Sequence, residues 1–414
     1  MPRHIAVIAP PTPGHVNPLL ALGEALRGRG HRVTLVHLAE AERLVSGGVG
    51  FAALGGTADR QGALAQYQAT LAAATGLHGT TRMIAATARL TAALLDELPG
   101  RLRAIGADAV IADSAEPAGA LVAQRLRLPL VASVTGLPLL REPDLPPPFV
   151  GWAYRRGALA RFRNWGGWLV SDMLIRPIAR VIEERARDWG VDPRPDASAL
   201  LQVAQCPAAL DFPRTRLPEV FRYGAPWRLP RPDASDLPRD GRPLVFCSLG
   251  SLQGGRLQLL AVMAQACAEL GARAVVGHGG GLTDAEAAGL PGDPLVRAFW
   301  SQPAVLPHCS AAVIHGGFNT VLDALAAGVP IVAAPIAFEQ PATAARIAWA
   351  GAGRVTSYRR LTVGRLKRVL HQVLSEPRYR DGAARIGRAM GGDGAERAAA
   401  LVDAAFTSGR TPRA

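Results

Sequence analysis

Short apolar runs alternate along this chain with longer stretches whose apolar residues recur every three or four positions. Residues 4–9, 32–37, 109–112 and 130–134 read as strands, and 18–29 and 117–126 as helices between them. Residues 10–17 read as a loop, with a proline near the first turn of the helix that follows. A Pro- and Arg-rich passage over 212–243 breaks the pattern and has the composition of a linker. A second series then begins, with strands at 244–249, 274–276, 312–314 and 331–333. It closes with helical segments at 361–374 and 395–406. Strands alternating with helices predict an α/β protein, here two facing Rossmann-like domains with parallel sheets and a cleft between them. The expected divisions are 1–212, a linker at 213–243, a second domain at 244–385, and a C-terminal helix and tail at 386–414 that packs back on the first domain.

The densest chemistry lies between Val296 and Pro341. Val313 and Ile314 end a strand, and 319–327 has helical spacing with Leu322, Leu325 and Ala326 on one face. The turn between them, His315-Gly316-Gly317-Phe318, delivers unpaired backbone N–H groups at a helix N-terminus, with Asn319-Thr320 as its cap. That end of a helix favours phosphate. Two glycines let a diphosphate approach the backbone, and His315 adds a side-chain donor without a metal.

Composition narrows the partners. The chain has 414 residues, enough for two domains, with 49% hydrophobic and 19% charged residues, as in globular proteins. Its formal charge is +13, and Lys367 is the only lysine. That charge suits anionic substrates, an acidic membrane surface, or simple solubility. The arginines are scattered and no recognition motif is present, so nucleic acid is not an expected partner. Cys206, Cys247, Cys267 and Cys309 lack metal-binding spacing and read as buried thiols in a reducing cytoplasm. The first apolar run is too short for a signal peptide, and no run approaches the roughly 20 residues of a membrane span. A cytoplasmic protein, at most peripheral on the inner membrane, is expected. An oxidoreductase would carry G-x-G-x-x-G after the first strand. Pro-Pro-Thr-Pro-Gly-His-Val-Asn-Pro stands there instead.

His15, just beyond the first strand, faces the expected cleft and suits proton abstraction from an alcohol near neutral pH. Asp113, at the end of the strand over 109–112, would orient the imidazole and stabilise its protonated form. Asp108 and Glu116 are rivals for that carboxylate role.

The segment 296–341 resembles the donor signature of the two-domain, GT-B type nucleoside-diphosphate-sugar glycosyltransferases. The resemblance implies an N-terminal acceptor domain and a C-terminal nucleotide-sugar domain. Phe299 falls where the family usually stacks a Trp on uracil, with Trp300 one place later and Ser301 in place of the usual Pro. Gln302 matches the base-contacting amide. His315, Asn319 and Thr320 match the diphosphate contacts, and the His315–Gly317 turn with Ser251 after Gly250 can stabilise charge on the leaving diphosphate. Asp323 matches the ribose-binding acid, and Glu339-Gln340 the pair that grips sugar hydroxyls. His15 with Pro18 matches the family's base, and Asp113 its partner. Inverting displacement follows, with UDP-glucose as co-substrate and no separate cofactor. No D-x-D occurs, so no metal is expected. The stretches Leu137–Pro148, Leu210–Phe221 and Cys247–Arg256 are similar to the bacterial zeaxanthin glucosyltransferases, which implies a hydroxycarotenoid acceptor. A polyketide, macrolide or sterol acceptor, a silent nucleotide-binding partner protein and a nucleotide-sugar epimerase are the alternatives. Over 151–190, Trp152, Tyr154, Phe162, Trp165 and Trp168 interleave with Arg155, Arg156, Arg161 and Arg163. That pattern suits peripheral membrane contact, an apolar acceptor tunnel, or two helices with a solvated basic face.

Overall fold

Runs of Val, Ile, Leu and Ala without polar alternation form strands buried on both faces, as a helix-covered parallel sheet requires. The computed structural model describes residues 2–55, 62–194, 198–229, 237–238 and 240–412. The first sheet has seven parallel strands in the order β3-β2-β1-β4-β5-β6-β7. They are β1 His4–Ile8, β2 Arg32–Leu38, β3 Gly50–Leu54, β4 Ala109–Asp113, β5 Leu130–Val134, β6 Ala199–Ala204 and β7 Phe221–Arg222. The second has six parallel strands in the order β10-β9-β8-β11-β12-β13. They are β8 Leu244–Ser248, β9 Arg273–Gly277, β10 Leu295–Arg297, β11 Cys309–Ile314, β12 Ile331–Ala333 and β13 Gly353–Val355.

Both sheets reverse their strand order beside their own first strand, at β1/β4 and at β8/β11. Such switch points open a crevice at the strands' carboxyl ends, where ligands bind. His15 and Asp113 follow the first switch, and Gly250 and His315 the second.

Three sequence expectations are corrected. Residues 13–17 are not a loop: the first helix runs Pro13–Gly28, so His15 lies in its first turn. Thr12 is the extended N-cap, and Pro13 occupies the first turn, where its missing N–H costs nothing. The 213–243 stretch is not wholly linker, because β7 pairs with β6 and Phe221 and Trp227 are buried. Residues 230–236 and 239 of that stretch lie outside the described residues. Residues 386–390 end helix Pro377–Met390, whose Ala383, Ile386 and Met390 join the core of the second sheet. The last helix, Gly394–Ser408, crosses back, and its Ala398, Val402, Ala405 and Phe406 pack with Leu19, Leu22 and Leu26 of the first helix. Among the described residues, no helix is long and apolar enough to cross a membrane.

A buried ion cluster joins the two halves. Asp211 accepts from Arg214 Nε at 2.6 Å and from Arg346 Nε at 2.7 Å, and Tyr223 donates to it at 2.9 Å. Burial raises the Asp211 pKa, but the two guanidinium charges outweigh it and hold the carboxyl below its usual range.

Candidate active site

His15 Nδ1 lies 3.4 Å from Asp113 Oδ1, with the imidazole 30% exposed and the carboxylate buried. A hydroxyl stands between them. Thr135, one residue past β5, donates from Oγ1 to Asp113 Oδ2 at 2.6 Å and lies 2.8 Å from His15 Nδ1. A threonine hydroxyl has one hydrogen, and the carboxylate takes it, so His15 Nδ1 must be the donor to Oγ1. The proton of neutral His15 is thereby fixed on Nδ1, leaving Nε2 as a bare base. Burial lowers the His15 pKa, but the charge and hydrogen bond of Asp113, aided by Glu339 and Glu116, outweigh it and raise the pKa above 6.5.

The rival carboxylates are occupied elsewhere. Asp108 is bonded to the His4 backbone N–H and paired with Arg3. Glu116 is buried, caps helix Pro117–Leu126 through the Ala118 N–H, and accepts from Thr91 Oγ1 at 3.1 Å. Burial pushes its pKa up to about 7.

On the opposite wall, His315 follows β11 and is buried. Its ring lies against two glycines: a Cβ at Gly250 would come within 2.7 Å of Nε2, and one at Gly317 within 2.4 Å. No larger residue fits either place without moving the ring. Burial lowers the His315 pKa to about 4, so the ring is neutral at pH 7. Nδ1 is buried without a partner among the described residues. The Ser248 carbonyl, close to the ring, partly offsets that lowering.

Gly317, not Asn319, is the N-cap of helix Phe318–Ala326, and no side chain caps it. The first N–H groups of that helix are therefore left for a ligand. Asn319 is used differently: its Nδ2 donates across the cleft to the Gly14 carbonyl at 2.7 Å, and its Oδ1 accepts from Gln205 Nε2 at 2.8 Å. Gly14 can receive that bond because Pro18, four residues on, has no N–H to offer it. Thr320 is buried beside the turn, and Ser251 is exposed just after Gly250.

Asp323 is paired with Arg228, whose Nε donates to Oδ1 at 2.6 Å. The same guanidinium reaches Gln205 Oε1 and the Asn319 carbonyl, both at 3.1 Å. Gln340 Oε1 accepts from the Ile336 and Ala337 N–H groups at 2.9 Å each, which fixes its amide at the start of helix Gln340–Trp349. Glu339 precedes it, its pKa raised by burial. Phe338, before both, is held at φ +57, a strained conformation for a residue with a Cβ. Phe299 is 70% exposed, whereas Trp300 is buried and donates from Nε1 to Val276 O at 2.9 Å. Of the two, Phe299 has the exposed ring face. Gln302 opens helix Gln302–Val305 and is half-buried.

The structure thus brings His15, Asp113 and the 315–320 turn to one cleft and adds Thr135, Gln205 and Arg228. Thr135 and Gln205 each follow a strand end at the cleft, a signal present in the sequence. Arg228 was hidden by linker-like composition. Of the five aromatics singled out within 151–190, Trp168 is buried and donates to Leu145 O at 3.1 Å, Tyr154 stacks on Phe212, and Trp152 stacks under Arg163. Phe162 and Trp165 are exposed.

Two parallel sheets whose switch points share one cleft define the GT-B class of glycosyltransferase. Residues 283–398 match the family model described as the erythromycin biosynthesis protein CIII-like C-terminal domain. The zeaxanthin glucosyltransferase of Pseudescherichia vulneris is 38% identical over 86% of this chain and 86% of its own. That of Pantoea ananas is 35% identical over 96% of this chain and 95% of its own. A solved structure of the kitacinnamycin glycotransferase superposes with a TM-score of 0.75, at 21% identity, over 98% of this chain and all (100%) of that one. The chain belongs to family 1 of the GT-B glycosyltransferases.

Proposed function

We propose that this protein transfers glucose from UDP-glucose to a hydroxyl of an apolar acceptor, a hydroxycarotenoid such as zeaxanthin, with inversion. The observation that carries the reading is the 2.7 Å bond from Asn319 to Gly14, which ties the donor-side helix to the residue preceding His15. Similarity to two zeaxanthin glucosyltransferases supports the acceptor class.

In this reading Nε2 of His15 takes the proton of the acceptor hydroxyl. The oxygen forms its bond to the anomeric carbon as the bond from that carbon to the diphosphate breaks on the opposite face. Asp113, through Thr135 and directly, stabilises the imidazolium that results. Negative charge growing on the leaving UDP is met by the N–H groups of the 317–320 turn, by His315, and by Thr320 and Ser251. Phe299 and Gln302 receive the base, Asp323 held by Arg228 the ribose, and Glu339 and Gln340 the sugar. In this reading those donors take the part a metal would otherwise play, so EDTA is expected to leave turnover unchanged. A carotenoid dissolves in lipid, and this reading places the enzyme peripherally on the cytoplasmic face of a membrane, in contact through 151–190.

The test incubates detergent-solubilised zeaxanthin with UDP-glucose and follows UDP release and product mass. His15→Ala should lower turnover by on the order of 10²–10⁴-fold. UDP release without glycoside, or none from any alcohol tried, would overturn the assignment.

A further inference from the structure

Residues 158–189 form one helix, Ala158–Trp189, in place of two. One face of its first half is buried: Ala160, Asn164, Trp168 and Ser171 recur at helical spacing and pack toward the 143–152 loop. The opposite face is apolar and uncovered. Leu159 is 83% exposed, Phe162 68%, Trp165 55% and Met173 76%, with Leu169 and Val170 between them. An ordinary amphipathic helix puts charge there. Phe162 and Trp165 stack on each other at 5.8 Å, which presents one flat aromatic surface to solvent.

Charge brackets this stripe. Arg155 and Arg156 lie exposed just before the helix, and Arg176 and Arg180 continue the same face beyond Met173. Arg176 is partly neutralised by Glu183 at 2.7 Å. An apolar strip with cations at both ends matches the acyl boundary and the anionic headgroups of a bilayer. The formal charge of +13 acts in the same direction.

The helix also adjoins the site. Trp152 lies against Gly167 of the same helix, and Gly151 approaches Pro341 so closely that a Cβ there would lie 3.2 Å from its carbonyl oxygen. Pro341 follows Glu339 and Gln340. The 146–152 loop therefore runs from this helix to Pro341, beside Glu339 and Gln340.

We infer that helix Ala158–Trp189 docks this enzyme, through Leu159, Phe162, Trp165, Leu169, Val170 and Met173, on an anionic phospholipid surface. Docking sets the cleft beside the phase that dissolves the acceptor. The inference rests on the proposed acceptor only for its purpose; the surface is tested without any acceptor.

Full-length protein is sedimented with phosphatidylcholine vesicles, with and without phosphatidylglycerol. Binding is expected to the anionic vesicles and to weaken at high salt. Phe162→Ser/Met173→Ser should lower the bound fraction at least fivefold, and Arg155→Gln/Arg156→Gln should reduce it on anionic vesicles only. Both variants should keep UDP release with detergent-solubilised acceptor. Should either variant misfold, wild-type protein still answers. Its tryptophan fluorescence should be quenched by brominated lipid, and Trp165→Phe should remove most of the quenching. Wild-type protein that stays in the supernatant, or a concentration-dependent dimer that Phe162→Ser/Met173→Ser dissociates, overturns the inference. Loss of UDP release with intact vesicle binding would instead overturn the assigned reaction.

Discussion

In the proposed reaction, Thr135 governs how His15 is prepared as the base. A direct His–Asp contact leaves the imidazole free to tilt, whereas a hydroxyl that donates to Asp113 at 2.6 Å can only accept from His15. Thr135→Val should lower kcat roughly tenfold to a hundredfold, the worth of one charge-assisted hydrogen bond, and Thr135→Ser should restore it. Asp113 acts on the pKa as well. Burial alone would lower that of His15, and the Asp113 charge reverses the sign. The acidic limb of the kcat/KM profile should therefore lie above 6.5 in the wild type. In Asp113→Asn it should move to lower pH while the maximal rate falls. A limb that stays in place would remove Asp113 from the proton chemistry. His15, Asp113 and His315 were readable from residue type and position after a strand; Thr135 was not singled out, because a threonine's use depends on what surrounds it.

At the scale of elements, the first helix is built to leave one carbonyl open. Pro18 withholds the N–H that would close the turn on Gly14, and Asn319 from the other half takes its place. Pro18→Ala should restore the intrahelical bond and stabilise the helix by about 2–3 kcal/mol, the cost of an interior proline less its effect on the unfolded chain. The Asn319 bond then meets a competitor, and the KM for UDP-glucose should rise severalfold. Higher melting temperature with unchanged KM would show that the bond does not serve the donor site. The helix itself was misplaced in the sequence because Pro, Gly and Pro over 13–18 read as loop chemistry. They are compatible with a helix only because Thr12 precedes them and Gly14 finds a partner elsewhere.

Across the molecule, the two halves are joined by more than the chain. The cluster Asp211–Arg214–Arg346 is buried, so removing its carboxylate takes from Arg346 the acid it is paired with and leaves Arg214 with Glu142 alone. Asp211→Asn should cost about 3–5 kcal/mol at pH 7, measured by urea unfolding. The folded-state pKa of Asp211 is depressed, so its contribution is present above the ordinary carboxylate pKa and is lost as pH falls through the folded value. The difference between wild type and variant should accordingly shrink in acid. The last helix adds a second tie, since its Phe406 and Val402 fill the core beside the first helix.

Periodicity and turn chemistry are local properties, and the sequence alone determined what depends on them: strands β4, β5 and β12, helix Pro117–Leu126, the α/β class, and the glycine turn at a helix N-terminus. Partnership is not local. Whether Asn319 caps its own helix or reaches Gly14, whether Asp323 stands beside Arg228, and which aromatics of 151–190 face water all turn on contacts between residues far apart in the chain. Those contacts exist only once two sheets have packed across one cleft, and only the tertiary structure decided them.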